Sequence, residues 1–186
     1  MPALTLIAGP NGAGKSSFTR GVDLEGVERL LDPDAIARQL NLADPSAAAI
    51  AAGRETLRRA EQYLNSAVSF VIETTLSGRH HLDMIRDAKS RGFRIHLVFI
   101  GLDSPERCID RVKSRAVLGG HGVPEKDVRR RYARSLEKCA EAVRLADATE
   151  IYDNSAAGHR LILIWQAGVL EWQAEKLPDW ARPLLR

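Results

Sequence analysis

Gly9-Pro10-Asn11-Gly12-Ala13-Gly14-Lys15-Ser16-Ser17 is the stretch whose reading decides the fold of this chain. It matches G-x-x-x-x-G-K-[ST], the pattern of a phosphate-binding loop. It follows the apolar run Leu4-Thr5-Leu6-Ile7-Ala8, which reads as a buried strand, and it precedes a helix expected from Lys15 to about Val22. The glycines let the backbone turn so that successive N–H groups point at phosphate oxygens. The helix N-terminus adds positive potential. Gly9, Pro10, Asn11, Gly12, Ala13, Gly14, Lys15, Ser16 and Ser17 are therefore read as the nucleotide cradle, with Lys15 reaching the β/γ-phosphates and the Ser16 hydroxyl as Mg2+ ligand. The bland alternative is a glycine-rich turn with a chance lysine. That pattern arises by chance on the order of once per hundred chains of this length, and the strand before it lowers the figure.

Outward from the loop, strand-like and helix-like segments alternate, which predicts an α/β fold with a mainly parallel sheet. Asp32 is suited to cap a helix and Pro33 to open it. A long helix is expected over Ser46 to Asn65, with Ile50, Leu57, Ala60 and Leu64 at helical spacing. Ser69-Phe70-Val71-Ile72 reads as a strand ending at Glu73. Ser77 caps a helix from Arg79 to Ser90 in this reading, stopped by Gly92. Arg94 to Ile100 is the next strand; Asp103, Ser104 and Pro105 open a helix to Val117. Gly119-Gly120-His121-Gly122-Val123-Pro124 breaks the chain before a helix over Glu125 to Leu145. Thr149 to Tyr152 is a short strand, and Leu161 to Trp165 with Val169 to Trp172 reads as an edge hairpin. Trp165, Trp172 and Trp180 are assigned to packing of the hairpin and of a short C-terminal helix.

The bulk numbers fit one soluble domain. The chain has 186 residues, 45% hydrophobic and 27% charged, with a net charge of +3. No apolar run is long enough to cross a membrane, and the first strand leaves no room for a leader segment. Cys108 and Cys139 fall in helical patterns and read as reduced core residues. Together these point to a cytoplasmic protein.

Ligands of open α/β sheets gather at the carboxyl ends of strands. Three such ends carry polar groups: the loop after the first strand, Glu73-Thr74-Thr75, and Asp153-Asn154-Ser155. Phosphoryl transfer needs positioning, charge neutralisation and a carboxylate for the acceptor proton. Asp34 is one candidate for that base; a favourable place in its helix dipole is the plainer account of it. Glu73 is the other, as holder of a Mg2+-bound water or a substrate hydroxyl. Arg107, Arg111 and Arg115 share one helix face, as do Arg130 and Arg134. Arg115, beside the glycine break, leads as a lid arginine and Arg131 is second; most of the others read as solvated. His80 and His81, being adjacent on a helix, are expected to point apart, and the histidines form no metal-ligand set. Few aromatics interleave the basic residues, so nucleic-acid binding has little support.

The assembled motifs resemble the zeta toxin family of P-loop kinases. The matching pieces are Gly9 to Ser16, Asp32-Pro33-Asp34-Ala35-Ile36-Ala37, Phe70-Val71-Ile72-Glu73-Thr74-Thr75-Leu76-Ser77-Gly78, and Arg115 followed by Gly119 to Pro124. Arg130-Arg131-Tyr132, Tyr152-Asp153-Asn154-Ser155 and Leu177-Pro178-Asp179-Trp180 complete the set, in the family's order. The resemblance implies a three-layer P-loop kinase fold, one domain over residues 1–186 with a helical lid around 105–145. It implies ATP- and Mg2+-dependent phosphorylation of a small-molecule hydroxyl, the acceptor in characterised toxins being UDP-N-acetylglucosamine. By motif position Asp34 is the base, Lys15 the phosphate lysine, Glu73 and Thr75 substrate-side residues, and Arg115 and Arg131 the lid arginines. An antitoxin partner is also implied. Asp32 stands where the family often has Asn. Two rival expectations remain: a kinase of nucleic-acid 5′-hydroxyls, and a non-catalytic nucleotide-binding switch.

Overall fold

The computed structural model describes residues 1–117 and 122–185. Gly119, Gly120 and His121 of the glycine break lie outside the described residues. Seven strands form one sheet in the order β2-β3-β1-β4-β5-β6-β7. These are β1 (Ala3–Ala8), β2 (Leu30–Leu31), β3 (Phe70–Thr74), β4 (Arg94–Gly101), β5 (Ala148–Asp153), β6 (Arg160–Gln166) and β7 (Val169–Gln173). The first five strands in that order run parallel, while β6 and β7 join antiparallel. The helices are α1 (Lys15–Thr19), α2 (Pro33–Leu40), α3 (Ala49–Asn65), α4 (His80–Ser90), α5 (Pro105–Val117) and α6 (Glu125–Leu145).

Side chains alternate along each strand, so β1 sends Leu4, Leu6 and Ala8 to one face and Ile7 to the other. On the first face they meet Leu64 of α3, Leu82 and Ile85 of α4, Cys139 and Val143 of α6, and Trp180. On the second, Ile7, Val71, Val98 and Ile100 meet Phe18 of α1, Cys108, Ile109 and Val112 of α5, and Val128 of α6. Helices thus cover both faces of the sheet, the three-layer P-loop arrangement expected. Both cysteines are buried and unpaired, and burial pushes the Cys108 thiol up to about 12. Among the described residues no helix is long and apolar enough to cross a membrane.

The chain passes from β1 to β3 on one side and reaches β4 on the other, so the carboxyl end of β1 is where the strand order switches direction. A crevice opens there in such sheets. The loop over residues 9–14, between β1 and α1, fills it.

Several expectations are corrected. The helix after the loop stops at Thr19 rather than near Val22. The long helix starts at Ala49, and its buried face is Ala52, Thr56, Ala60 and Leu64; Ile50 and Leu57 are exposed. A strict i, i+4 row of small residues packs closest, which overrides the larger apolar side chains. Ser77 does not cap α4: its hydroxyl bonds Thr75, and the cap position is Arg79 without a side-chain bond. Trp172 is exposed on β7, since an edge strand has no layer above it. The C-terminal turn is a 3-10 helix over Asp179–Leu185. The two-residue strand β2 carried no periodic signal and is visible only through its pairing with β3.

Candidate functional site

A single cleft of about 690 Å3 runs across the carboxyl end of the sheet. Its floor is the loop from Asn11 to Ser17, and its walls come from α2, the segment after β3, and α5, α6 and the loop after β5. The loop is built as its sequence requires. Gly12 and Gly14 have φ of +77° and +94°, a region that L side chains rarely adopt. A Cβ on Gly12 would also come within 2.8 Å of the Cys108 carbonyl oxygen.

Lys15 opens α1 and folds back over the loop. Its Nζ donates to the carbonyls of Gly9 and Pro10, at 2.8 and 3.0 Å. Burial pushes its ammonium below the usual value, opposed first by the Glu73 charge and then by Asp34. Ser16 Oγ donates to Glu73 Oε2 at 2.9 Å, and Thr19 Oγ1 donates to Glu73 Oε1 at 2.8 Å. Glu73 is 4% exposed. Desolvation raises its carboxyl above the ordinary range, against the pull of the Thr19 hydrogen bond.

Asp34 lies in the first turn of α2. The helix is capped by Asp32, whose Oδ1 accepts from the Asp34 N–H at 2.9 Å, and Pro33 opens it. Asp34 faces the cleft and forms an ion pair with Arg115 of α5 at 3.7 Å. That contact bridges two walls. Of the three consecutive arginines on α6, Arg129 pairs with Glu106 and Arg130 with Asp127, while Arg131 lines the cleft. Helical rotation of about 100° per residue separates them. Thr75 lines the cleft beside Ser77. The expected residues Lys15, Ser16, Asp34, Glu73, Thr75, Arg115 and Arg131 are thus all in one cavity.

Cleft residues outside that assigned set include Arg111, Asn154, His80 and His81. Arg111 donates to the Asn154 carbonyl at 2.8 Å, and Asn154 Nδ2 donates to the Ala13 carbonyl at 2.8 Å. His80 and His81 both line the cleft, with ring centroids 3.9 Å apart, correcting the expectation that they diverge. The helix starts at His80, so its ring folds back beside the first turn. Leu76 N donates to Thr74 Oγ1 at 2.9 Å, and the same hydroxyl is hydrogen-bonded to His81 Nδ1 at 3.2 Å. Burial lowers His81 to about 3, which favours the neutral ring. Leu76, which turns this segment, is fully buried at φ +53°. A non-glycine residue held there stores strain that only packing can maintain. Among the described residues no group of three His, Cys, Asp or Glu side chains could hold a metal ion by itself.

These features sit among known proteins as follows. The Zeta toxin family profile matches residues 1–159. An uncharacterised protein of Haemophilus influenzae is 36% identical over 124 residues, covering 67% of this chain and 88% of that protein. The crystal structure of AvrRxo1-ORF1:-ORF2 with ATP superposes with a TM-score of 0.71 at 15% identity, over 92% of this chain. The chain spans 60% of the length of that AvrRxo1 chain. A structure from the PezAT chromosomal toxin-antitoxin system of Streptococcus pneumoniae superposes at 0.60 and 15% identity, over all of this chain and 82% of the other. At such identities the two structures speak for the fold, while the profile and the Haemophilus relative carry the kinship. This chain belongs to the Zeta toxin family.

Proposed function

We propose that this chain is a phosphotransferase that moves the terminal phosphoryl group of ATP to a hydroxyl of a small molecule. One observation carries the reading: the phosphate cradle and the Asp34 carboxylate line the same cleft, with Arg115 between the two walls. Hydrolysis needs a group that positions water; here the carboxylate stands on a wall away from the loop, in a cleft with room for a second substrate. A volume of about 690 Å3 lies within the usual range for small-ligand pockets.

In this reading the loop N–H groups hold the donor phosphates. Lys15, now on the Gly9 and Pro10 carbonyls, turns to the β/γ oxygens. The residues present fit a magnesium ion, because Ser16 Oγ and Glu73 Oε2 are hard oxygen donors 2.9 Å apart. Ser16 would hold the ion and Glu73 its bound water, and the charge supplied would offset that on the phosphate oxygens. Arg115 and Arg131 stabilise charge on the transferring group from the opposite wall. Asp34 orients the acceptor hydroxyl and takes its proton. Thr75 and Glu73 border the acceptor. The helical segment 105–145 acts as a lid over the donor, and the whole of 1–186 works as one domain. UDP-N-acetylglucosamine is the first acceptor to test, given the family. An antitoxin partner, of the kind named in the PezAT toxin-antitoxin system, belongs to the same proposal.

The test is ATP turnover with a panel of hydroxyl metabolites. Asp34→Asn is expected to keep ATP binding and to lose about 10²–10⁴-fold in transfer. Lys15→Ala is expected to lose ATP binding itself. Full transferase activity in Asp34→Asn would remove Asp34 as the base, and hydrolysis without transfer to any hydroxyl would remove the kinase reading.

A further inference from the structure

A backbone anion cradle works only if its N–H groups face in and its carbonyls face out. Four carbonyls of this loop are held by identifiable donors. Those of Gly9 and Pro10 accept Lys15 Nζ. That of Gly14 accepts the Phe18 N–H at 3.0 Å, the first bond of α1, and also His159 Nε2 at 3.2 Å. The Ala13 carbonyl is different, because it precedes the helix. Its holder is a side chain 141 residues away in the chain, at the carboxyl end of β5: Asn154 Nδ2, at 2.8 Å.

The Ala13–Gly14 peptide, like others in the loop that precede a glycine, has little backbone resistance to turning over. Flipping it changes ψ at Ala13 and φ at Gly14, and glycine accepts either sign of φ. In a trans peptide the C=O and N–H point in opposite directions. A flip would withdraw the Gly14 N–H and place a carbonyl oxygen against the phosphates, exchanging attraction for repulsion.

Asn154 is itself locked from three sides. It is 8% exposed. Its N–H donates to the Gly101 carbonyl at 3.0 Å, at the end of β4. Its own carbonyl accepts Arg111 Nη2 at 2.8 Å, from α5. A Cβ on Gly14 would lie 2.5 Å from Asn154 Nδ2, so the approach requires glycine at that position as well.

We infer that Asn154 is a positioning residue for the donor site: its carboxamide clamps the Ala13–Gly14 peptide so that the Gly14 N–H is presented to phosphate. The inference rests on the donor-site reading given under Proposed function, but not on transfer to any acceptor. It extends the set of functional residues to the loop after β5. It also ties the cradle to Arg111, which bonds the main-chain carbonyl of the same residue whose carboxamide holds Ala13.

The experiment is binding of inorganic pyrophosphate by the full chain, read by calorimetry and by amide NMR. Asn154→Leu keeps the side-chain shape and deletes the donor; Asn154→Ala deletes both and serves if the leucine variant fails to fold. Wild type is expected to bind pyrophosphate with a large shift of the Gly14 amide. Each variant is expected to bind at least tenfold more weakly and to lose the Gly14 response. A merely structural role would lower the melting temperature and leave the Gly14 amide responding. Affinity within twofold of wild type, with the Gly14 response intact, overturns the clamp and leaves the cradle standing. Failure of wild type to bind pyrophosphate overturns both.

Discussion

Glu73 ends β3 with each carboxylate oxygen on a hydroxyl of α1, Ser16 on one side and Thr19 on the other. Burial holds its carboxyl above the ordinary 4.5. The folded chain therefore binds that proton more tightly than the unfolded chain does. The ionised group opposes folding above its folded value, and the opposition disappears below 4.5. Ligand-free wild type is expected to lose stability relative to Glu73→Gln as the pH rises from 4.5 towards neutrality. Melting curves at a series of pH values measure this, and a difference independent of pH contradicts it. At this scale the sequence marked Lys15, Ser16, Asp34 and Glu73 because each belongs to a local pattern or a strand end. Thr19 escaped it, and Asn154 was marked only as part of a polar strand end, not by its contact. Their partners are 54 and 141 residues away in the chain, and no local pattern encodes such a contact.

The elements show where periodicity succeeds and where it does not. The expected bounds of α6 match those found, since a long amphipathic run fixes its own phase. In α3 the expected Ala60 and Leu64 are buried, but Ile50 and Leu57 are exposed and Ala52 and Thr56 take their place, because Ile50 is larger than Ala52 yet lies away from the packing surface. The C-terminal 3-10 turn depends on one close approach. Gly101 leaves room for the Trp180 ring, which also stacks near Phe99 at 6.2 Å, and Trp180 Nε1 donates to Asp153 Oδ1 at 3.2 Å. Asp153 in turn holds the Ser155 hydroxyl at 2.6 Å, next to Asn154. Trp180→Ala is expected to destabilise the chain by about 3–5 kcal/mol through the cavity it leaves. Trp180→Phe, which keeps most of the ring and loses the N–H, is expected to cost about 1 kcal/mol. Denaturant titration distinguishes the two, and equal losses would mean that the hydrogen bond rather than the packing holds the turn.

At the scale of the whole molecule the cleft collects residues from both ends of the chain, from Asn11 to Asn154. A ligand in it bridges α1, α2, α5 and the loop after β5, so binding is expected to stabilise the fold as a unit. ATP at a hundred times its dissociation constant should add about 2.7 kcal/mol. A thermal shift with wild type and none with Lys15→Ala is the expected result; a shift unchanged in Lys15→Ala would place the nucleotide elsewhere. The sequence by itself determined the strand–loop–helix cradle, the βα alternation and the family, because those are carried by short-range patterns of glycine, charge and apolar spacing. Only the tertiary structure decided which of Arg129, Arg130 and Arg131 lines the cleft. It also decided that Glu73 binds α1 and that Asn154 reaches the Ala13 carbonyl. Those choices depend on how helices rotate and strands stack over distances that no window of residues spans. The physical reason is that packing sets the orientation of a side chain, whereas sequence pattern sets only the element that carries it.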